Sequence, residues 1–266
     1  MLKDEVKRIA LSEGATKVGI ASVESFAGAP HGYAPGDFIQ GAKSVISVGV
    51  RLLDAAVDRI RLFVNSQMIP RELRMPVQEY IYDTVAYNMV NARLERIGLS
   101  IALFLEKQGY PSMCFPATYD RNYDELMSKI PNYQAFFSHR HAAVRAGLGE
   151  FGLSNLVLTP EYGPRMRFNS VITSMQLEPD SIIAEKLCIR DCTLCQESCA
   201  LCVDNPKTAI LAPIENLKWN EIWLDPPSVT DKHACASGRC AGECMRVCPV
   251  GSKRTHTIQG KRKSSR

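Results

Sequence analysis

No apolar run in the 266-residue chain approaches the roughly 20 residues that a membrane-spanning helix needs. A membrane-spanning helix is therefore not expected. Behind Met1-Leu2-Lys3-Asp4-Glu5 there is no apolar signal core, which points to the cytoplasm. Outside the stretch from Cys188 to Cys248 the only cysteine is Cys114. A disulfide framework, which belongs to small secreted domains in oxidising compartments, has little to support it. Acidic residues are missing after Ser252, where Lys253, Arg254, Lys261, Arg262, Lys263 and Arg266 are all basic.

What is present fills one sizeable core. Apolar residues make up 45% of the chain, enough for a buried core with a small cofactor domain beside it. The net charge of +4 sits in the tail, because without its six basic residues the balance falls to about −2. Residues 253–266 read as a disordered basic tail, normally a solvated end. A phosphate-bearing partner such as nucleic acid is the lesser reading of it.

Nine of the ten cysteines fall into two runs, Cys188-x3-Cys192-x2-Cys195-x3-Cys199 with Cys202 close behind, and Cys235-x4-Cys240-x3-Cys244-x3-Cys248-Pro249. Two cubane clusters need eight thiolates, and in bacterial ferredoxin runs the fourth cysteine serves the other cluster. The crossed assignment puts Cys188, Cys192, Cys195 and Cys248 on one [4Fe-4S] cluster. Cys199, Cys235, Cys240 and Cys244 then hold the second, with Cys202 competing with Cys235 for a place. Structural zinc is the competing reading, although its paired C-x2-C spacing fits only Cys192/Cys195 and Cys199/Cys202.

Along the chain, Leu2, Val6, Ile9 and Ala10 mark a helix ending at Gly14, followed by a strand over Lys17–Val23. Ser44–Val50 is continuously apolar, as a central strand buried on both faces would be. A long helix is expected from about Tyr80 to Gln108, closed by Gly109 and Pro111. Asn155–Thr159 and Arg167–Thr173 read as two strands joined by the turn Pro160–Pro164. The boundary to the cysteine region falls near residue 180.

Gly147-Leu148-Gly149-Glu150-Phe151-Gly152 satisfies the dinucleotide pattern G-x-G-x-x-G, but that fingerprint needs a strand before it and a helix after it. Here the order is reversed, since His139–Ala146 has helical composition and the residues after the motif look like a strand. The loop serves either as a backbone surface for a flat cofactor or as a packing turn.

The stretch Ala146-Gly-Leu-Gly-Glu-Phe-Gly152, leading to Leu158-Thr-Pro-Glu-Tyr-Gly163 and the crossed cysteine runs, resembles the epoxyqueuosine reductase family and, more remotely, corrinoid reductive dehalogenases. Gly41-Ala-Lys-Ser-Val-Ile46 adds a weaker match. The resemblance implies an α/β (α+β) architecture. A nitroreductase-like cofactor-binding core (residues 1–180) would be followed by a ferredoxin-like domain with two [4Fe-4S] clusters (181–252) and the tail. It also implies a bound cobalamin, with FMN as the alternative, near Arg145, Ala146, Gly147, Leu148, Gly149 and Gly152.

The family's catalytic aspartate lies thirteen residues before the alanine of the glycine motif, where this chain has Tyr133. Glu150-Phe-Gly-Leu-Ser154 stands in place of the family's Trp-Ile-Gly-Lys-Asn. The helical-repeat domain of the tRNA-acting members has no counterpart after Val250. A tRNA substrate is therefore not favoured, while the electron-transfer frame stands. The candidate proton donors are Tyr133, His139 and His141. The expected function is an iron–sulfur oxidoreductase that passes electrons to a corrinoid and reduces a small-molecule substrate. A ferredoxin-like electron carrier serving a redox partner protein is the alternative, and a flavin reductase a weaker one.

Overall fold

The fold comes from a computed structural model that describes residues 2–58, 69–118, 135–202, 211–231, 235 and 242–251. Among these the strands are β1 (Lys17–Ser22), β2 (Ser44–Arg51), β3 (Ser112–Cys114), β4 (Glu150–Phe151), β5 (Val157–Leu158), β6 (Met166–Thr173), β7 (Leu211–Pro213) and β8 (Ser228–Thr230). The principal helices are α1 (Leu2–Ser12), α2 (Asp54–Asp58), α3 (Arg74–Tyr82), α4 (Val90–Lys107), α5 (His139–Arg145), α6 (Leu194–Cys202) and α7 (Glu243–Val247). No helix among the described residues is long and apolar enough to cross a membrane. The fold is mixed α/β. Its contacts divide it into two compact units.

The first unit comprises residues up to Leu52, Asp83–Leu148 and Arg167–Ala184. Its four-stranded sheet has the order β1-β2-β6-β3, so the apolar run of β2 lies inside the sheet and is buried from Ser44 to Val50, as its composition predicts. β1 and β2 are antiparallel, in register from Lys17↔Gly49 to Ser22↔Ser44. α1 buries Val6 and Ala10, and the chain turns at Gly14 with φ 96°, a left-handed conformation that favours glycine. Of the expected helix over 80–108, this unit holds a π-helical turn at Asp83–Met89 followed by α4. Leu94, Ile97, Ile101 and Leu105 of α4 are fully buried in the core with Ile46 and Val48. Each such side chain contributes roughly 1.5–3 kcal/mol by leaving water, and Ile101→Ala would cost roughly 2–5 kcal/mol with its cavity included.

The second unit comprises Leu53–Tyr82, Gly149–Met166 and the residues from Glu185 onward. β4 pairs with β5 and β7 with β8, both antiparallel, and α6 packs against α7. The expected strand over Asn155–Thr159 shrinks to Val157–Leu158, and it pairs with β4 instead of hairpinning onto β6. Asn155 explains the difference. It adopts the left-handed region at φ 57°, which ends strand geometry, and its amide grips β8. The Nδ2 donates to the Ser228 carbonyl at 2.6 Å and to Thr230 Oγ1 at 2.7 Å, and the Oδ1 accepts the Ser228 N–H at 3.2 Å. Thr159 bridges to Gly163 across the turn.

Candidate metal centre

In the second unit Cys188, Cys192, Cys195 and Cys248 line one cavity, whose other walls include Leu153, Leu158, Ile189 and Val250. Local backbone geometry brings them there. The extra residue between the first two cysteines, Asp191, takes φ 58°, and the Cys192 N–H closes the turn on the Ile189 carbonyl at 3.2 Å. The loop therefore absorbs the longer spacing while both thiols keep facing inward. Cys195 sits on α6. Cys248 follows α7 in an extended conformation, the backbone region that a residue before proline is pushed into. Gly163 (φ 53°) and Gly251 (φ 64°) meet backbone to backbone, and a Cβ on Gly163 would stand 1.9 Å from the Val250 carbonyl oxygen. That contact fixes the segment behind Cys248.

The four thiols form one electrostatic group. Burial pushes Cys195 up to about 12, and the neighbouring charges of Cys248, Cys188 and Cys192 push in the same direction. Burial likewise pushes Cys248 up to about 12, against the N–H of Val250 and the positive charge of Arg165. Cys188 is raised by burial, with the Leu153 N–H and Lys186 opposing. Four mutually repelling sulfurs in an apolar cavity, with backbone N–H donors aimed at three of them (Leu153, Gln196, Val250), suit a multinuclear cation that would take them as thiolates. Among the described residues, no three Cys, His, Asp or Glu side chains converge on one metal ion.

Glu150, which sequence reasoning treated only as a departure in the glycine motif, braces this cavity. Its fully buried carboxylate accepts the N–H groups of Leu187 and Cys188 at 2.6 Å each, the Trp223 N–H at 3.2 Å and the Lys186 ammonium at 3.0 Å. Lys186 in turn lies 3.2 Å above the Trp223 ring. A lone acid inside a glycine-rich apolar motif was the available signal. The second buried charge is Arg165, whose Nη2 reaches Asp58 at 3.4 Å and the Arg246 carbonyl at 3.3 Å.

The remaining cysteines are placed less completely. Cys199 is buried on α6, Cys244 is half-buried on α7, which packs against α6, and Cys235 is exposed. Cys240 lies outside the described residues. Cys114 belongs to the core of the first unit, where burial raises its thiol.

The expected catalytic groups lie in the first unit or outside the described residues, as Tyr133 does. His139 is held at both ring nitrogens, Nδ1 by Ser170 Oγ at 3.0 Å and Nε2 by the Pro116 carbonyl at 2.9 Å. Burial lowers its pKa to about 4, against the Pro116 bond and helped by Arg167. The ring is neutral at physiological pH, with both nitrogens held by the protein. His141 Nδ1 lies 2.6 Å from Ser138 Oγ at the start of α5, and Arg145 Nε donates to the Ser25 carbonyl at 2.8 Å.

The glycine motif is filled by the protein's own atoms. Ala146 and Leu148 are buried. A Cβ on Gly147 would meet the Ser181 carbonyl oxygen at 2.1 Å, one on Gly149 the Leu158 carbonyl oxygen at 2.0 Å, and one on Gly152 the Leu158 side chain at 2.9 Å. These glycines permit close packing of the loop against the protein's own atoms.

No family model matches the chain. Among curated proteins it is 31% identical over 112 residues to a tetrachloroethene reductive dehalogenase of Sulfurospirillum multivorans, covering 40% of this chain and 22% of that protein. It is 31% identical over 167 residues to a protein of the same name from Dehalobacter restrictus, covering 59% and 27%. The chain thus spans about a quarter of these relatives. Among solved structures it matches epoxyqueuosine reductase from Bacillus subtilis with TM-score 0.53 at 18% identity (95% of this chain, 66% of that one). A catabolic reductive dehalogenase matches with TM-score 0.56 at 19% identity (97% and 32%). The chain has the fold of epoxyqueuosine reductases and reductive dehalogenases. Those are the proteins to which the glycine motif and cysteine runs pointed. One solved epoxyqueuosine reductase, with TM-score 0.52 at 18% identity (94% and 65%), is in complex with a tRNA stem loop.

Proposed function

We propose that the chain is an iron–sulfur reductase, with Cys188, Cys192, Cys195 and Cys248 holding one [4Fe-4S] cluster and Cys199, Cys235, Cys240 and Cys244 a second. The observation that carries this reading is the convergence of the first four thiols, from segments over fifty residues apart, on one apolar cavity. Bound there, a cubane supplies one-electron transfer. Leu153, Leu158, Ile189 and Val250 keep water from the sulfurs, the N–H groups of Leu153, Gln196 and Val250 share their negative charge, and Glu150 holds the Leu187 and Cys188 backbone.

The electron acceptor in this reading is a corrinoid, supported by the fold shared with a reductive dehalogenase whose structure bears on B12-dependent dehalogenation (TM-score 0.54, 18% identity). No residue of the glycine motif is assigned to it. The substrate is a small molecule; a tRNA partner has support only from the solved relative bound to a stem loop. A second reading, an electron carrier that reduces a separate redox protein, is favoured by the filled glycine motif and the doubly bonded His139.

Anaerobic reconstitution with iron and sulfide, followed by spectra with cobalamin and with FMN, separates these readings. A corrinoid spectrum altered by stoichiometric protein supports the reductase. Eight irons with neither cofactor bound supports the carrier.

A further inference from the structure

Arginine is ordinarily solvated, yet Arg165 is 2% exposed, the one buried basic side chain among the described residues. Its partners do not balance it. Asp58 stands at 3.4 Å and is itself 31% exposed, so water screens that pair. The Arg246 carbonyl at 3.3 Å is neutral, and the nearby Glu243 carboxylate is engaged by the Arg246 guanidinium at 2.9 Å. The second terminal nitrogen, Nη1, is buried and finds no acceptor among the described residues. A buried guanidinium in this condition is costly unless an anion answers it.

The place of Arg165 says which anion. Its backbone N–H is tied to the Tyr162 carbonyl at 3.0 Å, in the loop whose Gly163 abuts Val250 and Gly251. Its side chain reaches the Arg246 carbonyl, two residues before Cys248. Backbone and side chain thus both join the segment that carries Cys248.

We propose that Arg165 is a positioning residue for the anionic cluster held by Cys188, Cys192, Cys195 and Cys248, its unshared Nη1 and buried charge raising the reduction potential of that cluster relative to the other. The inference rests on the cluster reading of the cavity. One-electron reduction adds one negative charge and transfers no atom, and a fixed cation in a low-dielectric surrounding favours the more negative state. Among the described residues, Asp58 is the charged side chain in direct contact with Arg165.

The test is a redox titration of the reconstituted full chain with dithionite as electron donor, followed by electron paramagnetic resonance. Arg165→Met makes reduction of one cluster at least tenfold less favourable, about 59 mV for a one-electron couple, and leaves the other unmoved. Arg165→Lys restores most of the shift. Asp58→Asn, on a more exposed partner, moves the same cluster in the opposite direction and decides the matter if Arg165→Met does not fold. Loaded clusters whose potentials are unchanged by Asp58→Asn and by any folded Arg165→Met overturn the inference alone. Wild-type protein that takes up no iron and sulfide overturns the cluster reading beneath it.

Discussion

Glu150 Oε1 accepts the backbone N–H of Cys188 at 2.6 Å, so a carboxylate within the glycine motif fixes the first thiol of the proposed cluster. Replacing it with alanine leaves the Lys186 ammonium and three N–H groups without their acceptor in a buried place. Removing one partner of a buried pair costs roughly 3–5 kcal/mol. Glu150→Ala should therefore lower the unfolding free energy measured in urea by that amount and cut the iron content by about half, with Glu150→Gln between it and wild type.

Gly163→Ala places a Cβ 1.9 Å from the Val250 carbonyl in a left-handed backbone. Left-handed strain of about 1–2 kcal/mol and overpacking of about 1–3 kcal/mol add up to roughly 2–5 kcal/mol. The strain falls on the segment behind Cys248. The expected outcome is loss of the first cluster's resonance signal, while far-ultraviolet circular dichroism at 20 °C changes little.

His139 gives a pH dependence of known sign. Its folded pKa is about 4 against an ordinary 6.5, so the unfolded chain binds its proton first. The stability it contributes is present above pH 6.5 and is lost as pH falls toward 4. Partial exposure trims the full linkage to on the order of 2 kcal/mol. Urea unfolding at pH 5 and pH 7 should show on the order of 1 kcal/mol of that in wild type and less in His139→Gln.

The elements legible in the sequence were those fixed by short-range pattern. The apolar run of β2, the helical spacing of Leu94, Ile97, Ile101 and Leu105, and the stop at Gly14 all depend on neighbours in the chain. Cys188, Cys192, Cys195 and Cys248, grouped in the sequence by their spacing, line one cavity. Asn155 was misread because its side chain, bonded to Ser228 and Thr230 over seventy residues away, overrides the strand propensity around it. Glu150 was not assigned a role for a related reason. Its partners at Cys188 and Trp223 are distant in sequence, and no local pattern records a buried charge's partner. The close approach of Ser181 and Leu158 to the glycines of 147–152 is long-range or shape-dependent packing that the local pattern does not record.

Cysteine replacement separates ligands from bystanders. Cys114 packs in the core of the first unit, so Cys114→Ala should retain all the iron and lose roughly 1–2 kcal/mol of stability from the small cavity. Cys195→Ser should lose about half of the iron, as read by a colorimetric iron assay on anaerobically prepared protein.

The most direct test is metal and acid-labile sulfide analysis of wild-type protein isolated and reconstituted without oxygen. About eight irons and eight sulfides per chain, consistent with two cubanes, is the predicted result. One or two equivalents of zinc with no labile sulfide would contradict it.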